Sequence, residues 1–152
     1  MKSIIFLSIF TLSLFAASEQ GNELYGYGAS YHTNRDYRFH EFNPGIGFGH
    51  YWKDNEHCEM TVQGSVYSNS YGHFTTIATF GPRFTVGHEK DMYAFLSINA
   101  GATYSVDYYN LIILPSVGIG YKKVNVNFIF IPKGGNREDS SDAVGVFLGY
   151  KF

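Results

Sequence analysis

His32, Ser70 and Asp107 each fall where an extended, apolar-patterned stretch of the chain gives way to polar residues. A histidine next to a serine can carry acyl transfer. The imidazole takes a proton from a hydroxyl, either that of the serine or that of an acceptor molecule, and the oxygen attacks a carbonyl carbon. With 6 histidines and many serines in the chain, such pairs are common, so spacing alone does not single this one out. The elements that carry the residues must bring them together.

The last of those elements is the most regular. Val144, Val146, Leu148, Tyr150 and Phe152 share one face, and Gly145, Phe147, Gly149 and Lys151 share the other. A terminal aromatic on such a period-two strand, apolar on one side and broken by glycine and lysine on the other, suits lipid outside and a lumen inside. The other end of the chain agrees. Lys2 precedes an apolar run ending in small residues, with Ala16 and Ser18 in a small-x-small pattern, so residues 1–18 are expected to be a secretory signal peptide. The run is shorter than the roughly 20 residues a membrane-crossing helix needs.

Residues 19–152 are then expected to form one outer-membrane β-barrel domain, all-β and built of antiparallel transmembrane strands. Aromatic residues make up 18% of the chain, more than a soluble core of this size requires, and a barrel uses them as girdles at both membrane surfaces. The net charge of −2 carries no nucleic-acid signature. Cys58 is the single cysteine, which rules out an intramolecular disulfide and a thiolate metal cluster. No cofactor is expected.

Eight extended segments can be placed, at 24–32, 44–53, 58–68, 74–88, 92–106, 111–121, 124–132 and 143–152. Each approaches or exceeds the 9 to 11 residues of a tilted membrane strand, and eight is the smallest usual barrel. Connections at 54–57, 89–91 and 122–123 are short, as on the periplasmic side. Those at 33–43, 69–73, 107–110 and 133–142 include two long polar loops, as on the outside. Lipid cannot satisfy polar groups, so the polar and glycine faces must point inward. On that rule Tyr25, Tyr27, Ala29 and Tyr31 face lipid, while Gly26, Gly28, Ser30 and His32 face the lumen.

Two further patterns bear on lipid. Gly26, Gly28, Gly45, Gly47, Gly118, Gly120, Gly145 and Gly149 either relieve crowding in a tightly curved wall or leave a slot for an acyl chain. Pro82, Pro115 and Pro132 each remove a ladder donor, and a missing donor in a closed barrel opens a gap through which a lipid could enter sideways.

Tyr31-His32, the glycine-rich run from Asn43 to Gly49, Tyr67-Ser68-Asn69-Ser70, Leu114-Pro115-Ser116-Val117-Gly118 and Phe130-Ile131-Pro132 together resemble the PagP-type lipid A palmitoyltransferases. The likeness follows this order over most of the mature chain. It implies an eight-stranded barrel that takes an acyl chain from a phospholipid and esterifies lipid A in the outer leaflet, with those two lipids as partners and a monomer as the working unit. In that family a histidine after the first strand and an Asp-Ser pair in the next outer loop carry the chemistry. His32 and Ser70 match two of the three, and Asn69 stands where the family has its aspartate. An asparagine can orient an imidazole but cannot lend an imidazolium a full charge. Residues 19–23 are also too few for the amphipathic helix with which that family begins.

Other candidates are blander. Arg35, Arg38, His40, Lys133 and Arg137 could meet lipopolysaccharide phosphates, although solvated loop charge is the commoner explanation. His57, Cys58 and Glu59 are consecutive in a strand, so they point to opposite faces and make a poor metal site. Asp139 and Asp142 flank two serines without a calcium-loop pattern. Three functions therefore compete: a lipid A acyltransferase, a small structural or surface-interaction barrel, and a lipid A deacylase.

Overall fold

A computed structural model describes residues 19–34, 38–106, 108–133 and 141–152. The expected signal peptide, residues 1–18, lies outside them, as do Arg35, Asp107, Arg137 and Asp139. Eight strands follow one another: β1 (Glu19–His32), β2 (Phe42–Asn55), β3 (Cys58–Ser68), β4 (Phe74–Gly87), β5 (Met92–Ser105), β6 (Tyr109–Tyr121), β7 (Val124–Ile131) and β8 (Ala143–Lys151). Each pairs antiparallel with the next, and β1 pairs with β8, closing the barrel. The β2–β3, β4–β5 and β6–β7 connections lie at one end, the turn end, and the other connections, with the two long ones among them, at the loop end. The strands match the expected segments closely except that β1 begins five residues early, at Glu19.

Alternation turns the barrel inside out relative to a soluble protein. Ile46, Val62, Val66, Ile98, Ile113, Val117 and Ile119 are exposed around the middle of the outer wall. Exposed aromatics flank them, Tyr31, Phe42, Phe74, Tyr104 and Tyr109 toward the loop end and Phe84, Tyr121, Tyr150 and Phe152 toward the turn end. This is an apolar band between two aromatic girdles, the surface a bilayer requires. Threonine, serine and asparagine side chains fill the interior positions.

The first strand departs from simple alternation. Its register against both neighbours shifts between Tyr27 and Ala29. A bulge of this kind inserts one residue and reverses the facing of everything beyond it. Ser30 and His32 point inward and Tyr31 outward, as expected. Below the bulge the expectation fails. Tyr25 is 1% exposed and Tyr27 lines the interior, while the position of a Cβ on Gly26 has no atom within 4 Å. Tyrosines fit inside because glycine lies beneath them: a Cβ on Gly49 would stand 2.9 Å from the Tyr25 ring.

The interior has two storeys. Toward the turn end, Arg83 bonds Glu23 and Glu59, each at 2.9 Å, and Lys151 reaches Glu59 at 3.0 Å and Glu89 at 2.6 Å. Lys53 continues the chain to Glu89 at 2.6 Å and Glu19 at 3.1 Å. Asn125 donates to Glu23 at 2.5 Å, and the Tyr25 hydroxyl donates to the same carboxylate at 2.9 Å. A buried ion network is tolerable only when each charge is paired and hydrogen-bonded, and the Glu23 carboxylate meets that condition through three donors. Above it, Tyr25, Leu114, Ile129 and Phe147 form a buried apolar layer.

Candidate functional site

Above that layer the barrel is hollow. A cavity of about 420 Å³ occupies the loop half, within the range of roughly 300–1,000 Å³ usual for ligand pockets. Its floor is aromatic. Phe147 packs edge-on against Tyr25 at 5.6 Å and stacks with Tyr27 at 5.0 Å, and Tyr27 stacks in turn on Tyr67. Ile77, Ile112, Leu114, Ile129 and Ile131 make the walls. The Tyr27 hydroxyl is within 2.8 Å of Ser65 Oγ, which satisfies it beside the apolar walls, and Gln63 and Thr103 also line the space.

Only two of the eight glycines singled out from sequence, Gly28 and Gly145, line this space. The others do not form a slot. Gly118 and Gly120 lie beneath the Phe95 and Tyr93 rings, Gly149 beneath Glu23 and Asn125, and Gly45 and Gly47 against Tyr67 and Ser65. Glycine here makes room for a neighbour's side chain. The open volume lies between the aromatic floor and the aliphatic side chains of Ile77, Ile112, Leu114, Ile129 and Ile131.

The prolines interrupt the wall. Pairing of β6 with β7 starts at Ser116↔Ile129, directly below Pro115, and among the described residues no rung is made above it. The wall is therefore unzipped beside Leu114 and Ile131, both of which line the cavity. Pro82 sits where the β4–β5 ladder skips from Phe80↔Ala100 to Arg83↔Ser97. Pro132 follows the last residue of β7 and simply ends it. Pro44, not singled out by its surroundings in the sequence, falls where β1 and β2 skip from Tyr27↔Gly45 to Ala29↔Phe42.

Polar side chains ring the mouth. His32, from the end of β1, is 6% exposed and stacks on Phe39 of the first loop, with centroids 4.2 Å apart. Ser70 and Asn69 come from the loop between β3 and β4, and all three of His32, Asn69 and Ser70 line the one cavity. Backbone bonds hold the rim together: His40 N–H donates to the Ser70 carbonyl at 2.9 Å, and Ser30 N–H to that of Glu41 at 2.8 Å.

Asn69 is a loop fastener. Its Oδ1 accepts from the Tyr71 and His73 amides, each at 2.9 Å, and its Nδ2 donates to the Thr75 and Ser105 hydroxyls at 3.0 and 3.3 Å. The turn it closes needs Gly72 at a positive φ of 83°. Asn69 thus fixes where Ser70 stands. Asn43 and Ser30 join the site as well: Ser30 Oγ donates to Asn43 Oδ1 at 2.5 Å and lies 3.5 Å from Ser70 Oγ. Inward parity marks Ser30 in the sequence and Asn43 opens the glycine-rich run of β2, whereas nothing short of the fold marks Phe39.

The remaining candidates are placed elsewhere. Arg38, His40 and Lys133 are exposed at the loop end. Asp142 Oδ1 accepts from the Lys133 backbone amide at 2.7 Å, closing the last loop. His57 Nδ1 lies 3.2 Å from the Thr85 carbonyl, while Glu59 is committed to the ion network.

A family model described as "Antimicrobial peptide resistance and lipid A acylation protein PagP" matches residues 15–150. The chain belongs to the PagP family. No curated protein sequence matches it. Among solved structures it is similar to Neisserial surface protein A, at 9% identity over 88% of this chain and 96% of that one, with a TM-score of 0.54. It is also similar to Ail, the attachment invasion locus protein of Yersinia pestis, at 12% identity over 88% and 98% of the two chains, with a TM-score of 0.51. Such likenesses speak for the fold: a PagP-family chain folded as an outer-membrane barrel is an integral outer-membrane protein.

Proposed function

We propose that this barrel transfers a fatty acyl chain from a phospholipid to lipid A in the outer leaflet. The observation that carries the reading is the apolar chamber, closed below by the Tyr25–Phe147 layer, with His32 and Ser70 at its mouth. An acyl chain lowered into the chamber leaves its ester at the rim, and the unzipped β6–β7 wall offers a way in from the bilayer. The loop end then faces outward, where Arg38 and Lys133 can meet lipid A phosphates.

In this scheme His32 is the general base. Its imidazole takes the proton of the lipid A hydroxyl as that oxygen attacks the ester carbonyl. The imidazolium returns the proton to the glycerol oxygen as the old ester bond breaks. Ser70 assists at the rim, and Asn69 holds Ser70 there. Leu114, Ile129 and Phe147 set how much chain fits, so the chamber selects acyl length.

One observation favours the runner-up, a barrel without acyl transfer. Both ends of the Asn69 amide are used within its own loop and in contacts to Thr75 and Ser105, so it offers His32 no carboxylate-like partner. Mass spectrometry of lipid A from cells with and without the chain separates the readings. A gained acyl mass supports transfer, a lost one supports deacylation, and an unchanged spectrum supports a structural role.

A further inference from the structure

The hydroxyl of Ser70 can be given a direction. Asn43 is buried, and its Nδ2 donates to two backbone carbonyls, those of His40 at 3.2 Å and Ser68 at 3.1 Å. Carbonyls only accept, so both amide hydrogens are spent and the other end of the side chain must be oxygen; the flipped amide would set oxygen against oxygen twice. Ser30 Oγ, 2.5 Å from that Oδ1, is therefore the donor. A serine has one hydroxyl hydrogen. Toward Ser70 Oγ, 3.5 Å away, Ser30 can only accept, and Ser70 must donate. The separation is long for a hydrogen bond between hydroxyls, as is common at such sites before substrate arrives.

We propose that Ser30 and Asn43, which line the chamber beside it, are positioning residues that hold Ser70 with its proton committed to Ser30 and its lone pairs left free to accept. The inference rests on the acyl-transfer reading and narrows it. A serine whose proton points to Ser30 is not the nucleophile that hands its proton to His32. The lipid A hydroxyl is deprotonated directly, the acyl group passes in one displacement at the carbonyl, and no acyl-Ser70 forms. A lone pair left free on Ser70 accepts from the imidazole N–H once His32 has taken up the proton. That acceptor role at the imidazole is one Asn69 cannot fill.

The experiment compares wild type, Ser30→Ala, Ser30→Thr and Ser70→Ala, purified as folded barrels in detergent with phosphatidylethanolamine as donor and lipid A as acceptor. Ser30→Ala should lower kcat roughly 3- to 10-fold, the worth of one hydrogen bond, with KM for the phospholipid unchanged. Ser30→Thr should restore kcat, and intact-protein mass spectrometry should show no acylated Ser70 during turnover. An acyl-Ser70 adduct, or a Ser30→Ala enzyme indistinguishable from wild type while Ser70→Ala is impaired, overturns the relay and leaves acyl transfer standing. A wild type that transfers nothing overturns the acyl-transfer reading instead, and crystal structures then decide the relay. Ser70 should keep one χ1 rotamer in wild type and lose it in Ser30→Ala, and a single unchanged rotamer in both would refute it. Should Ser30→Ala fail to fold, Ser30→Cys, whose thiol is a weak donor, serves in its place.

Discussion

The imidazole of His32 lies almost flat on the ring of Phe39, the centroids 4.2 Å apart and the planes 15° from parallel. The ring comes from a loop and the imidazole from a strand, so the contact couples the rim of the barrel to the first external loop. Phe39 in turn meets Tyr71 edge-on at 5.9 Å, which extends the coupling to the loop that carries Ser70.

Replacing His32 by alanine should remove the base without harming the barrel. Acyl addition to lipid A is expected to fall by roughly 10²- to 10⁴-fold, the usual worth of general base catalysis. Heat-modifiable migration in detergent gels should stay as in wild type. Acyl addition that survives the change would take His32 out of the mechanism.

Asn69→Asp would restore the residue expected of the family, yet the structure argues against a gain. Ser105 Oγ donates to the Phe74 carbonyl at 3.2 Å, so a carboxylate in place of the Asn69 amide would face a hydroxyl lone pair. A loss of about 1–3 kcal/mol is expected from the lost donors, read by thermal unfolding, with no rise in acyl transfer. A more active variant would identify the chain as a weakened form of its family's catalyst.

Chamber depth can be altered from Gly145. A Cβ there would stand 2.9 Å from Ile129 Cγ2, the branch methyl on that residue's Cβ, which must turn aside, and 3.7 Å from Ile131 Cδ1. Gly145→Met should fit after a small shift and occupy part of the chamber. The acyl mass added to lipid A should shorten by one or more two-carbon units, seen by mass spectrometry; an unchanged mass would mean that the chain lies elsewhere.

Arg83→Met tests the lower storey. It would leave Glu23 and Glu59 without the cation they share, and a buried charge deprived of its partner typically costs about 3–5 kcal/mol. Urea unfolding should show that loss even though the chamber above is untouched. A change below about 1 kcal/mol would mean that water or Lys151 compensates.

Glu89 gives a pH dependence of definite sign. Burial alone would raise its carboxyl, but Lys151 and Lys53 outweigh that and hold it below the usual value. A depressed folded pKa contributes stability that is present above the unfolded value, near 4.3, and is lost as pH falls through the folded one. The stability difference between wild type and Glu89→Gln should therefore be largest near neutral pH and shrink below about pH 4. A constant difference across that range would contradict the assignment.

Much of this was legible in the sequence because a membrane barrel obeys a strict period of two. The faces of β2, β3 and β8 follow directly from where glycine, lysine and threonine alternate with Ile46, Val62 and Leu148. Inwardness of His32 was legible for the same reason. The facing of Tyr25 and Tyr27 was not, since a bulge at Gly28 changes parity without changing composition. Nor was the filling of the glycine positions: whether Gly118 is a void or a seat for Phe95 depends on the stagger between β5 and β6, which no single strand encodes. Asn43 joins the site through the irregular pairing at the top of β1 and β2, which sets its side chain against Ser30 and the His40 and Ser68 carbonyls.

The division of the interior into a charged base and a greasy attic separates two duties that most small proteins must perform with the same atoms. Integrity of the cylinder is vested in Arg83 and the acids around it, while on the acyl-transfer reading cargo is a matter for the aliphatic lining above. Such a scaffold can be retuned to bilayers of different acyl composition by trimming a few isoleucines, with its foundations left alone.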